Sequence, residues 1–231
     1  MKNFKFALKC SFPIFFAYVF LGTAFGMMMR SAGYSLWTAA ASSLFIYAGS
    51  MQIVMVPLLQ AGAALRLLFI MTLFVNGRHI FYGMGFVEKF RRSGWRYPYM
   101  VFALTDETYS ILCSVQYPED VDERQADLLI ALLNQSYWVL GTIVGSVAGS
   151  VLPWDLTGIE FSATAFFLIV VLDQLAQYPT KLPMLTGLIS AAVCYLLLGP
   201  EYFLIPALSV SMIMLVFLRD RLAGKLEVKN V

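Results

Sequence analysis

Leu67-Leu-Phe-Ile-Met-Thr-Leu-Phe-Val-Asn-Gly-Arg-His-Ile-Phe-Tyr-Gly-Met-Gly-Phe-Val87 is as long as a membrane span, yet a guanidinium and an imidazole sit in its middle. A hydrocarbon core of about 30 Å takes about 20 apolar residues to cross. A charge at its centre costs about 2.5 to 3.5 kcal/mol on insertion scales, so intramembrane charges face protein or water and find partners. The stretch therefore predicts a membrane helix that breaks or bends at Asn76-Gly-Arg-His79 and brings chemistry to mid-membrane.

Working outward, seven further apolar segments follow the same pattern: Phe12 to Met29, Leu36 to Leu59, Tyr99 to Val115, Leu128 to Leu152, Phe161 to Ala176, Leu185 to Leu198 and Tyr202 to Leu218. The 231 residues are 60% hydrophobic and 13% charged, with a mean hydropathy of +0.75, against a charged fraction near a quarter in soluble domains. The composition predicts an all-α polytopic membrane protein of about eight apolar segments and six to eight crossings, forming a single transmembrane domain over 1–231. Lys2, Lys5 and Lys9 precede the first segment as in a signal peptide, but its apolar run is too long and no A-x-A-like site follows, so it reads as a retained helix. A formal charge of +2 provides no basic stripe, so nucleic acid is excluded as a partner. Cys10, Cys113 and Cys194 match no metal spacing, and no cofactor motif is present. The charge-dense stretch from Tyr117 to Asp127 reads as a solvated loop.

Leu21-Gly-Thr-Ala-Phe-Gly26 and Leu140-Gly-Thr-Ile-Val-Gly145 share one pattern 119 residues apart. This suggests an internal repeat of 10–96 and 128–200. Gly22 and Gly26, like Gly141 and Gly145, lie four apart on one helix face, where a neighbouring backbone can approach closely. With Tyr18 and Trp138 they form small-residue tracks that suggest a companion membrane protein as well as internal packing. If all eight segments cross with the N-terminus inside, ten lysines and arginines lie inside and five outside. If segments two and six dip in and return, the balance is twelve to three, which fits the positive-inside rule better. Segment five then runs opposite to segment one, and an inverted repeat with re-entrant or broken helices results, a construction that places substrate near the midplane.

The polar groups inside the spans are the candidate site. On a helix Asn76, His79 and Gly83 share one face, while Arg78 and Tyr82 share another. A lone histidine such as His79 either bonds a neighbouring backbone or handles substrate or a proton. Segment four carries Thr105-Asp-Glu-Thr108, so Asp106 or Glu107 is expected to pair with Arg78. Segment six adds Asp173, and segment two adds Gly49, Ser50 and Gln52, where the helix is expected to loosen. Against one intramembrane cation, Arg78, stand three carboxyls, Asp106, Glu107 and Asp173, so at least one is expected to hold a proton usable for coupling. Gly49, Ser50, Gln52, Asn76, His79 and Tyr82 are the expected substrate contacts, with Phe45, Met51 and Met55 as an apolar wall. No nucleophile pair, metal cluster or phosphate loop supports an enzyme.

Asn76-x-Arg-His-x-x-Tyr-Gly83, Thr105-Asp-Glu107, Tyr47-Ala-Gly-Ser-x-Gln52 and Trp138-x-x-Gly-Thr-x-x-Gly145 resemble the signature blocks of the AzlC family across the whole chain. Gly77, Met51 and Asp173 are the positions this pattern does not cover. The resemblance implies the large subunit of a bacterial branched-chain amino acid exporter in the cell (inner) membrane, working with a small hydrophobic AzlD-type subunit. Leucine, isoleucine, valine and methionine are the implied substrate class, with export coupled to an ion gradient, most simply protons. The alternative is a non-transporting assembly or sensor subunit.

Overall fold

A computed structural model of the chain describes residues 2–151, 168, 171–172, 181–199 and 203–218. Among these residues ten α-helices form: α1 Lys2–Ser31, α2 Leu36–Phe45, α3 Gly49–Gln60, α4 Leu65–Asn76, α5 Arg78–Arg91, α6 Tyr97–Phe102, α7 Asp106–Ser114, α8 Glu123–Val151, α9 Leu182–Leu198 and α10 Leu204–Phe217. Two compact units divide the chain at residues 160 and 161.

In the first unit α1 and α8 are long and apolar enough to cross a membrane, about 45 Å each at 1.5 Å per residue. They pack along their whole length through the two glycine motifs. A methyl at Gly22 would meet the Trp138 carbonyl oxygen at 2.8 Å, and one at Gly141 would meet the Val19 carbonyl at 2.6 Å. Gly26 and Gly145 are closer still, against the backbones of Thr142 and Thr23. The repeated motifs are therefore each other's partners, and the glycine tracks offer no face to a companion protein. Their contacts advance in step: Lys2 with Asp120, Ser11 with Tyr137, Gly22 with Gly141, Arg30 with Gly149. The two helices are parallel, so segment five does not run opposite to segment one and these copies are not related by inversion.

The remaining elements explain how the chain returns. Ser35 caps the start of α2, which runs ten residues, about 15 Å, and stops at Ile46. Tyr47 takes a φ of +44°, and α3 turns back beside α2, where Gln52 reaches Ser42 and Ser43. Each arm reaches only half the bilayer core, so segment two is a re-entrant hairpin whose break falls at Tyr47-Ala48, just before the expected Gly49-Ser50. The α4–α5 pair is bent by 47° and is, taken together, long and apolar enough for one broken span. The bend requires glycine at 77, where a methyl would sit 2.7 Å from the Leu73 carbonyl oxygen. Segment four also returns: α6 and α7 are short and break at Ala103–Thr105, and Tyr117 beyond them reaches Phe6 and Lys89. The sequence reading kept this segment as a crossing because its two arms together match a span in length.

Two hairpins thus enter from opposite ends of α1, and their tips meet beside its middle. Tyr47 lies 6.1 Å from Phe102 and 6.5 Å from Tyr18, ring to ring. Lys2, Lys5, Lys9, Lys89, Arg91, Arg92, Arg96 and Arg124 lie at one end of this unit, and Arg30 and Arg66 at the other. The positive-inside rule assigns the first end to the cytoplasm. This asymmetry removes the discordant loop at Glu88–Arg96 that eight crossings would place outside.

In the second unit α9 and α10 pack together, with Tyr195 edge-on to Phe203 at 5.3 Å. Pro183 opens α9, and Gly199 closes it at a φ of +76°. Asp173 and all of segment six except residues 168 and 171–172 lie outside the described residues.

Candidate functional site

Three half-helix starts converge where the hairpin tips meet the bent span: α3 at Gly49, α5 at Arg78 and α7 at Asp106. The first N–H groups of a helix lack internal partners and carry partial positive charge, which favours carboxylates nearby. Thr105 caps α7 and places Asp106 and Glu107 in its first turn. Arg78 ties the three together. Its Nη2 is 2.6 Å from Asp106 Oδ2 and donates to Ser50 Oγ at 3.2 Å. Both charged side chains remain about a third exposed. Arg78 Nε and Asp106 Oδ1 are nevertheless buried atoms with no hydrogen-bond partner among the described residues. The pair therefore offers one open donor and one open acceptor side by side.

The sequence left Asp106 and Glu107 as alternative partners of Arg78, and the structure separates them. Glu107 Oε2 lies 2.6 Å from the Tyr18 hydroxyl. Tyr18 Oη is also 2.7 Å from Thr105 Oγ1, which donates to Thr108 Oγ1 at 3.1 Å, and Asn134 Nδ2 donates to Thr108 at 3.0 Å. Tyr18, Thr105, Thr108 and Asn134 are all buried.

Gln52 is engaged by the protein itself. It is completely buried; its Oε1 accepts from Ala48 N and Trp138 Nε1, both at 3.1 Å, and its Nε2 donates to Ser42 and Ser43 at 3.4 and 3.5 Å. An amide has two lone pairs and two hydrogens to offer, so nothing remains for a solute. Gln52 and Gln135, which donates to the Leu44 carbonyl at 2.9 Å and accepts from Tyr99, stitch the broken backbone of the first hairpin. Phe45 is 75% exposed on the outside of that hairpin and cannot line a central pocket, whereas Met51 is buried. His79 Nδ1 lies 3.0 Å from the Asn76 carbonyl oxygen, a local backbone bond, and Tyr82 stacks on Tyr109 at 4.4 Å.

Sequence reasoning passed over Asn134 and Gln135, although two adjacent amides inside the apolar segment Leu128 to Leu152 signalled a buried polar contact. It also read Tyr117 to Asp127 as solvated throughout. Lys89 bridges Glu123 and Asp127 at 3.0 and 2.9 Å, Tyr117 donates to Asp127, and a polar cavity of about 370 Å³ opens beside them. Burial and the adjacent Asp127 carboxylate push the Tyr117 phenol above its usual range.

The comparisons with known proteins bear on this same unit. A family model described as AzlC protein matches residues 13–152. The chain belongs to the AzlC family. Among relatives of this AzlC-family chain, a Helicobacter pylori protein named "Uncharacterized membrane protein" is 38% identical over 96% of this chain and 97% of its own length. The "Branched-chain amino acid transport protein AzlC" of Bacillus subtilis is 35% identical over 95% of this chain and 86% of its own. The "Inner membrane protein YgaZ" of Escherichia coli is 27% identical over 86% and 81%. No solved structure matches the chain. The AzlC family assignment and the apolar helices make the chain an integral membrane protein of a transporter family, which agrees with a non-enzyme.

Proposed function

We propose that this chain is the large subunit of a two-component exporter of branched-chain amino acids, coupled to the proton gradient. The observation that carries the reading is the open pair at Arg78 and Asp106. A zwitterionic amino acid presents a carboxylate that needs donors and an ammonium that needs an acceptor. Arg78 Nε and the N–H groups of Gly49 and Ser50, at the start of an α3 that no side chain caps, take the carboxylate. Asp106 Oδ1 takes the ammonium, Asn76 sets orientation, and buried Met51 lies near the apolar side chain. The resemblance of the whole chain to a protein named for branched-chain amino acid transport supports the substrate class.

A neutral zwitterion gains nothing from the membrane potential, so export against a gradient needs a coupled charge. One elementary charge crossing the membrane is worth about 2.3 kcal/mol per 100 mV, enough for roughly 50-fold accumulation at about 1.4 kcal/mol per factor of ten. A carboxyl of the Thr105-Asp-Glu-Thr108 turn is the simplest carrier, and a small AzlD-type subunit is the expected companion.

The test is radiolabelled leucine uptake into inside-out vesicles made with the chain alone, with the small subunit alone, and with both. Saturable uptake that requires this chain and competes with isoleucine and valine supports the proposal. Leucine uptake indistinguishable from empty vesicles with both subunits inserted contradicts it and favours an assembly or sensor role.

A further inference from the structure

The hydrogen atoms around Tyr18 can be arranged in two ways, one with a proton on Glu107 and one without. Three oxygen-to-oxygen contacts run in a row: Glu107 to Tyr18 at 2.6 Å, Tyr18 to Thr105 at 2.7 Å and Thr105 to Thr108 at 3.1 Å. A hydroxyl has one hydrogen to donate. With Thr105 turned to Tyr18, the Tyr18 hydrogen goes to Glu107; with Thr105 donating to Thr108, Tyr18 has a single hydrogen and two close oxygens to serve. If Tyr18 donates to Thr105, the Glu107 contact has no hydrogen unless the carboxyl carries it. Two acceptor oxygens 2.6 Å apart with no hydrogen between them would repel in a buried site, where nothing screens them.

We propose that Glu107 is the proton site of this transporter and that Tyr18, Thr105, Thr108 and Asn134 form a buried hydroxyl chain that reports its protonation to α8. This inference rests on the transport reading above and deepens it by naming one carboxyl and its positioning residues. Asp106 is tied to Arg78 and to the open acceptor position, which among the described carboxyls of this site leaves Glu107, whose side-chain partner is the neutral Tyr18 hydroxyl. In the protonated state the Glu107 O–H donates to Tyr18, Tyr18 to Thr105, and Thr105 to Thr108. When the proton leaves for water, Tyr18 turns its hydrogen to the Glu107 carboxylate and Thr105 turns its own to Tyr18. Thr108 then loses its donor from Thr105 and keeps only the Asn134 amide. The only covalent bond broken is the Glu107 O–H; the other steps are rotations.

The reach of the chain gives it a use. Glu107 and Thr108 stand on the second hairpin, Tyr18 on α1 and Asn134 on α8, so one proton alters bonds among three elements that meet at the substrate pair. The titratable and charged groups facing Glu107 are Tyr18 from α1, Tyr47 from the first hairpin tip, Asp106 beside it and Arg78 from α5. Of these, only Tyr18 is a link of the chain.

Thr108→Val removes a link while preserving shape, and Thr108→Ser restores the hydroxyl. In reconstituted vesicles of the full chain with its companion subunit, Thr108→Val should keep leucine exchange within about twofold. It should lose at least tenfold in accumulation driven by an imposed pH gradient, and Thr108→Ser should recover most of it. Gradient-driven accumulation by Thr108→Val equal to the parent protein, or loss with no rescue by serine, overturns the proposal. A second readout needs no transport: the carboxyl band that disappears in Glu107→Gln is followed by infrared difference spectroscopy from pH 4 to 9. Thr108→Val, or Tyr18→Phe should the valine variant not insert, should move its midpoint by about one pH unit or more. An unmoved midpoint overturns the chain even if leucine transport is demonstrated, whereas a moved midpoint in a protein that carries no leucine sinks only the transport reading.

Discussion

Arg78 decides most at the scale of single residues, because it is the cation of the midplane and it joins three backbone segments. Removing one partner of a buried ion pair typically costs about 3 to 5 kcal/mol, but exposed pairs contribute about 1 kcal/mol or less. With a third of each side chain exposed, we expect a coupling of about 1 to 2 kcal/mol between Arg78→Ala and Asp106→Ala in a thermal-unfolding double-mutant cycle. Strict additivity would show that the pair contributes nothing to stability. Gln52 makes the opposite prediction from the one its sequence position suggested. Gln52→Leu orphans the Trp138 N–H and the Ala48 N–H, each at about 1 to 3 kcal/mol. The variant should melt earlier in detergent while its surviving fraction keeps the parent KM for leucine. A raised KM with unchanged melting would return Gln52 to the substrate.

At the scale of elements the hairpins are the main result, and they show why part of the fold was legible and part was not. The bend at Gly77 was readable because a charged tetrad interrupts an apolar run. The return of segment two was readable from the cation balance. The return of segment four was not, since Thr105 caps a helix start in the middle of a run whose total length imitates a crossing, and no glycine or proline marks the break. The direction of α8 followed from that error, because a single extra crossing reverses every later helix. A direct check places single cysteines at Ser93 and Glu119, on either side of the α6–α7 hairpin, in a cysteine-free background. A membrane-impermeant thiol reagent should reach both from the cytoplasmic side. Labelling from opposite sides would restore a full crossing and dismantle the fold described above.

For the whole molecule, the family match at 13–152 falls in the unit that holds α1, α8, the hairpins and the site. Its glycine motifs are used up between α1 and α8, so the proposed companion subunit docks elsewhere. The site was legible in kind, because costly polar groups inside apolar segments mark function. The sorting of Asp106 to Arg78 and Glu107 to Tyr18 depends on which way each side chain leaves the first turn of α7, which spacing alone does not specify. The central claim is that this junction moves a branched-chain amino acid together with a proton, and Glu107→Gln isolates the proton. Its amide N–H₂ imitates the protonated carboxyl towards Tyr18, so the site should remain assembled. The measurement is leucine flux in reconstituted vesicles, first as exchange between compartments at equal pH and then as accumulation under an imposed pH gradient. The account predicts that Glu107→Gln keeps exchange and loses accumulation, while Asp106→Asn, which loosens the substrate pair, weakens both. Undiminished pH-driven accumulation by Glu107→Gln would contradict it.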